Sequence, residues 1–387
     1  MRSLFSATWP VLLATILVLD AAPAPAQDAP SPRNGASNVF AADVNADGAP
    51  DVVVASPRNN EIVWYRNGDP RGTFGNRTVI STEVRLTKSI VAHDADNDGD
   101  RDVISASSFD NKLAWYPNTD GYGTFGDQSI FENEAGSPHA LHGDDLDGDG
   151  DVDLLFASNG KGKIAWCRNE GGAFTSQNVI STAAEGAQSV HAADLDSDGD
   201  KDAISVSSSF SGVDKVSWYR NTAGGFASQN VISKKMKNVR SVIGADLDGD
   251  GDQDVATASA GDGKIAWYEN TSGYGTFSSQ KVVTTKAPGV QTIAAADVDG
   301  DGDLDLLSAS NKNGKLAWYE NIDGKKAFSS QKVIASQGNY RAVFATDLDV
   351  DGDPDVLFIS ESKGRVGWCS NQIEQGNGFS SPRMIGP

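Results

Sequence analysis

The chain has 387 residues, with 32 Lys and Arg against 53 Asp and Glu and a formal net charge of −21. That balance excludes a phosphate-backbone binder, which needs clustered cations, and a protein that docks on anionic lipid. Two Cys cannot build a disulfide framework, and four His leave little for His-based zinc sites.

Residues 1–26 read as a secretory signal. Arg2 supplies a short positive start, residues 11–19 form an apolar run too short to span a bilayer, and Ala24-Pro25-Ala26 offers small residues for cleavage. An Ala/Pro-rich linker, 27–33, follows. These features predict a secreted protein, extracellular or (in a bacterium) periplasmic, with no membrane insertion.

From residue 34 to residue 387 the chain repeats itself. The pattern D-x-D-x-D-G-D-x-D starts at Asp43, Asp94, Asp145, Asp194, Asp246, Asp297 and Asp347, at intervals of 49 to 52 residues. A Trp follows each copy, at Trp64, Trp115, Trp166, Trp218, Trp267, Trp318 and Trp368, and then a Phe, from Phe74 to Phe379. Each unit carries four short segments rich in β-branched and aromatic residues, in the second unit 89–93, 103–107, 112–116 and 128–132, separated by Gly, Asn, Asp and Ser. In the first segment a bulky residue (Val39, Ile90, Leu141, Val190, Val242, Ile293, Val343) precedes a small one by two positions (Ala41, Ala92, Gly143, Ala192, Gly244, Ala295, Ala345). Such a face packs closely against a neighbouring sheet. An open stack would need atypical end units, and the end units are nearly as regular as the rest. The expected fold is all-β: a seven-bladed β-propeller of four-stranded antiparallel blades. It closes either without an interlocking strand or with one added by residues 30–36.

The loop between first and second strands carries the chemistry. Carboxylates at positions 1, 3 and 5 line the inside of a tight turn, Gly at position 6 permits the bend, and a carbonyl at 7 and a carboxylate at 9 complete an all-oxygen shell. That set suits Ca²⁺, up to seven ions, better than Mg²⁺ or Zn²⁺. The side-chain ligands would be Asp43, Asn45, Asp47 and Asp51; Asp94, Asp96, Asp98 and Asp102; Asp145, Asp147, Asp149 and Asp153; Asp194, Asp196, Asp198 and Asp202; Asp246, Asp248, Asp250 and Asp254; Asp297, Asp299, Asp301 and Asp305; Asp347, Asp349, Asp351 and Asp355. Five carboxylates in nine residues repel one another unless a cation sits among them. The first loop, with Asn45 at position 3 and Ala49 at position 7, should bind most weakly.

At these residues the chain resembles the FG-GAP/VCBS-like repeat family, whose best-known members form the seven-bladed head of integrin α subunits. Residues 43–54 resemble that family's calcium loop and following strand, and Phe74-Gly75 and Phe125-Gly126 its Phe-Gly element; the other five copies lack that Gly. Lys-Ile-Ala-Trp-Tyr-Glu-Asn at 264–270 is similar to the VCBS-type variant. The resemblance implies the propeller and calcium, and says little about a ligand.

The end of the ring opposite the loops should be more basic. Lys112, Lys163, Lys215, Lys264, Lys315 and Arg365 stand three residues before their Trp, where the first unit has Glu61, and Lys88, Arg240 and Arg341 lie in or near the connections to first strands. His142 and His191 fall nearby. An extracellular glycan or protein is the expected partner, with acidic or polyhydroxylated glycans favoured, and the expected role is a non-catalytic binding or adhesion module. Alternatives are a polysaccharide lyase, with His142 or His191 as base and Arg240 or Arg341 neutralising a uronate, and a structural matrix or envelope protein. The Trp residues should be core, Cys167 and Cys369 free thiols too far apart to pair, and Asn76 and Asn270 match glycosylation sequons.

Overall fold

Segments of strand propensity between glycine-rich turns leave no helical periodicity in this chain, and its structure, a computed structural model, is all-β. The structure describes residues 36–386 apart from 58, 70, 210–211 and 362–363. The expected signal and linker, and most of the segment proposed to add a closing strand, lie outside the described residues. Among the described residues no helix is long and apolar enough to cross a membrane.

Seven four-stranded antiparallel sheets follow one another along the chain. Blade 2 is made of Thr87–His93, Asp102–Ser107, Lys112–Tyr116 and Ser129–Glu132. Its inner strand starts two residues earlier than the alternation implies, because a bulge between Thr87 and Ser89 lets pairing resume beyond it. The inner strands Asn38–Ala42, Thr87–His93, Pro138–Asp144, Ala187–Ala193, Val239–Ala245, Val290–Ala296 and Tyr340–Thr346 contact one another around the ring, the first against the last included. The bulky inner-strand residues are all buried. Their small partners are required by the neighbouring blade: a Cβ on Gly143 would lie 2.6 Å from His93 Nε2, and one on Gly244 would lie 2.8 Å from Ala193 Cβ.

Among the described residues no strand is exchanged between the ends. Arg383–Ile385 completes blade 7 by pairing with Arg365–Cys369 of the same unit. Closure rests instead on an interface like the others. Val39, Val52 and Val54 of blade 1 share one apolar cluster with Leu348, Leu357 and Trp368 of blade 7. Phe74 meets the edge of Trp368 at 6.4 Å, as Phe174 meets Trp115, Phe226 meets Trp166 and Phe277 meets Trp218. Each such pair adds about 0.5–1.5 kcal/mol beyond its buried area. The Trp side chains are core as expected, with Trp115 only half-buried. Cys167 and Cys369 are free and buried, and burial pushes the Cys369 thiol up to about 12.

Candidate metal centre

Each loop on one end of the ring is wound by its own carboxylates. The position-1 carboxylate accepts from the N–H of the position-6 Gly at 2.9–3.0 Å in all seven loops. The position-5 carboxylate accepts from the position-7 N–H at 2.9–3.1 Å. The position-6 Gly has φ between +90° and +102°, a conformation a side chain would strain. Position 4 is also left-handed, with φ from +56° to +80°, although it holds Ala46, Asn97, Ser197 and Val350 as well as three Gly. Sequence reasoning missed that position, since only the three glycines signal it.

The position-9 Asp is buried to 0 % exposure in every loop. One of its oxygens accepts from the position-2 N–H at 2.9–3.2 Å. The other accepts at 2.6–2.8 Å from the backbone N–H of an Asn three residues past the Trp: Asn67, Asn118, Asn169, Asn221, Asn270, Asn321 and Asn371. That Asn in turn donates its side-chain amide, at 2.6–2.9 Å, to the position-2 carbonyl of the preceding blade's loop. Asn67 makes this bond to Leu348, across the ring closure. The Asn recurs in every unit, which is the signal that could have revealed it. Asn270 is 1 % exposed and bonded in this way, so its sequon is not available for glycosylation in the folded protein.

The residues fit a bound cation. A carboxylate is an acceptor only, and buried polar atoms are ordinarily satisfied. Yet Oδ1 of the position-3 Asp is buried without a donor in six loops, at Asp96, Asp147, Asp196, Asp248, Asp299 and Asp349, and in two loops Asp94 and Asp194 at position 1 repeat the pattern. Groups such as Asp94, Asp96 and Asp102, or Asp297, Asp299 and Asp301, bring one oxygen each within 4.8 Å of the others. Without a cation, burial pushes the position-9 carboxyls up to about 7 at Asp51, Asp153, Asp202, Asp254, Asp305 and Asp355, and to about 6 at Asp102. Burial, then the position-5 charge, raises Asp248 to about 6. In the first loop the buried group without a partner is the Asn45 amide nitrogen.

The loops differ in their surroundings. Arg168 reaches Asp147 at 2.7 Å and Asp149 at 2.9 Å, and Arg66 reaches Asp47 at 3.0 Å; Arg220 spans Asp196 and Asp198 in the same way. In the fifth and sixth blades that place holds Glu269 and Glu320, whose charges raise Asp248 and Asp299 further.

The candidate ligand residues of the opposite end separate into three groups. Lys112, Lys163, Lys215, Lys264, Lys315 and Arg365 stand one per blade at third-strand starts. Most are held locally: Lys112 by Asp110 and Lys264 by Asp262 at 3.1 Å, Lys215 by the Ala183 carbonyl at 3.3 Å, Lys315 by Gln331 at 3.2 Å, and Lys163 by Gln177. Arg365 is exposed. His142 and His191 pack ring on ring at 4.3 Å, and burial holds His191 well below the usual imidazole value. Arg240 and Arg341 come together, with Lys88 and His139, around one cavity that the inner strands of all seven blades line.

These features define a β-propeller whose blades each present an Asp-rich loop, several of which could hold a cation. The chain belongs to the FG-GAP-like repeat family, whose profile matches residues 43–105, 145–205, 246–308 and 297–358. That propeller is a binding- or adhesion-type module. Among solved structures it is similar to BBS1N in complex with ARL6DN, soaked with lead, at TM-score 0.58 and 14 % identity over 85 % of this chain and 90 % of that one. The mercury-soaked form gives 0.59 and 13 % over 85 % and 91 %. At such identity the likeness concerns the fold alone. A search of curated proteins gives no match.

Proposed function

We propose that the protein is a secreted, calcium-stabilised binding or adhesion module without catalysis, its partner an extracellular acidic or polyhydroxylated glycan met by the end opposite the loops. The observation that carries the calcium part is the donor-less, buried position-3 oxygen repeated in six loops. Positions 1, 3, 5 and 9 and the position-7 carbonyl would hold the ion, which supplies charge neutralisation rather than reactivity. Seven ions would add +14 and bring the chain from −21 to roughly −7. The glycan part is supported by the cations gathered at the opposite end. The secreted location rests on residues 1–26.

The lyase alternative is less favoured. His142 lines a deeper cavity that adjoins the one lined by Arg240 and Arg341, and neither His142 nor His191 is among the residues lining the cations' cavity. Calorimetric titration of the chelated protein with CaCl₂ tests the first part, with six or seven ions expected per chain; one ion or none would defeat it. A glycan array probed in calcium tests the second, and an array without any binder counts against it.

A further inference from the structure

The second residue of six inner strands, and the residue just before the first strand, face the mouth of the central channel at the end away from the Asp loops. Six of the seven blades place Lys88, His139, Gln188, Arg240, Gln291 and Arg341 there, and the first has Ser37 at the equivalent position. Together with Ser and Thr hydroxyls they enclose about 330 Å³. Among the described residues no carboxylate lines this cavity, in a chain with 53 acidic residues. The nearest acids act from outside the lining: Glu361 pairs with Arg341 at 2.6 Å, and Asp214 accepts from the Val239 N–H at 3.3 Å.

Three cations and an imidazole gathered on the axis of an acidic protein repel one another. Arg240 gives one N–H to Gln188 at 2.9 Å, while its Nε is buried with no acceptor. Lys88 and Arg240 are held below their usual values, by burial first and then by Arg341. His139 is lowered by burial, opposed by its bond to the Ser137 carbonyl, and then lowered further by Lys88, Arg240 and Arg341. Glu361 and Asp214 offset part of this repulsion from outside the lining, but a buried donor without an acceptor and incompletely compensated like charges are both costly. One occupant relieves both, and it is negative and rich in acceptors. Deeper in the channel the ring pairs Phe40 with Phe344, at 5.2 Å, and His142 with His191 narrow the space, so the mouth suits the end of a chain better than its middle.

We propose that this mouth is an anion site that receives the carboxylate or sulfate group of an acidic sugar at a glycan terminus, with Lys88, Arg240 and Arg341 supplying the charge and Gln188, Gln291 and His139 the hydrogen bonds. It rests on the glycan reading above and names the residues and the chemical group. The rest of the lining is neutral, with Ser89, Ser189, Ser241 and Thr292 offering donors and acceptors for sugar hydroxyls and apolar side chains such as Leu141 and Val190 between them.

The test is calorimetry on the full chain in calcium at low salt. The probes are sodium glucuronate, sodium sulfate, a hyaluronan tetrasaccharide with glucuronate at its non-reducing end, and chitotetraose as neutral control. The expected result is that the hyaluronan tetrasaccharide binds, chitotetraose does not, affinity falls at 500 mM NaCl, and Lys88→Gln with Arg240→Gln weakens binding at least tenfold. Because these changes remove mutual repulsion, the double variant should melt no lower than the parent. Lys332→Gln, on the outer strand of the sixth blade, should leave binding unchanged. If sulfate binds and loses affinity in the double variant while neither glucuronate nor the tetrasaccharide binds, the anion site stands and the glycan source is overturned. If the tetrasaccharide binds equally well to the double variant, the mouth is overturned while the wider glycan reading survives. If no array glycan binds but sulfate does so through Lys88 and Arg240, the wider reading falls and the anion site stands.

Discussion

The two ends of this propeller were built by opposite rules. At the Asp-loop end the same atoms make the same bonds seven times, the Gly bond to position 1 varying by only 0.1 Å. At the channel mouth seven equivalent positions, Ser37 in the first blade and the second inner-strand residue in the other six, carry residues that differ in size and charge. Repetition at one end marks what every blade needs to stand beside the next: a buried carboxylate, an Asn bond to the preceding blade and a cation-competent turn. Departure from the repeat at the other end is what a ligand on the axis, as proposed, would use, since it would meet all seven blades at once. On the proposed reading stability and recognition fall to different ends, and each assignment can be tested.

Chelation should produce the largest effect. With dissociation constants of about 10⁻⁴–10⁻³ M, seven sites at tenfold excess calcium contribute about 10 kcal/mol, or about 10–15 °C in melting temperature for a chain of this size. An unchanged melting curve in excess chelator would remove the contrast between the two ends. Next comes Gly275→Ala. This Gly has φ +73°, and a Cβ would lie 2.4 Å from a Trp218 ring carbon of the neighbouring blade. A loss of about 2–4 kcal/mol is expected in urea unfolding, whereas the same change at Gly212, where a Cβ meets nothing within 4 Å, should cost less.

The pH dependence sharpens the comparison. The position-9 carboxyls are raised from 3.8 to about 7 in the cation-free fold. Their neutral form therefore supports folding fully below pH 3.8, and that support is lost as pH rises through 7. The chelated protein should melt lower at pH 8 than at pH 5. Calcium requires ionised ligands, so its stabilising increment should grow over the same interval. A chelated melting temperature that does not move with pH would contradict the burial of these groups. The smallest effect is expected from Arg220→Gln, which removes a half-exposed cation beside Asp196 and Asp198. It should tighten calcium in the fourth loop by about twofold, screened as surface pairs are, and leave binding at the mouth untouched.

Much of this was legible in the residues. Because the loop motif is local, nine consecutive residues specify their own turn, and the third strand Lys112–Tyr116 fell where the pattern put it. The bulky-then-small inner strand forecast the close approach realised at Gly143 and His93. Other features were harder to see. Asn67 and its counterparts stand at a fixed distance from each Trp, but their purpose depends on a carbonyl some 75 residues upstream, or 281 downstream for Asn67 itself. The left-handed position 4 was masked because Val350 occupies it at φ +57° without being Gly.

The amino-acid sequence alone determined the number of blades, their order and the Asp-rich turn in each, because strand alternation and a nine-residue loop are short-range properties that a 50-residue period repeats. Only the tertiary structure decided how the ring closes, through packing of blade 7 on blade 1 without strand exchange among the described residues. It alone also gathered Lys88, Arg240 and Arg341 around one opening. These residues are far apart along the chain and share no motif. Their meeting follows from a closed circle of sheets, which brings one end of every inner strand to the same axis.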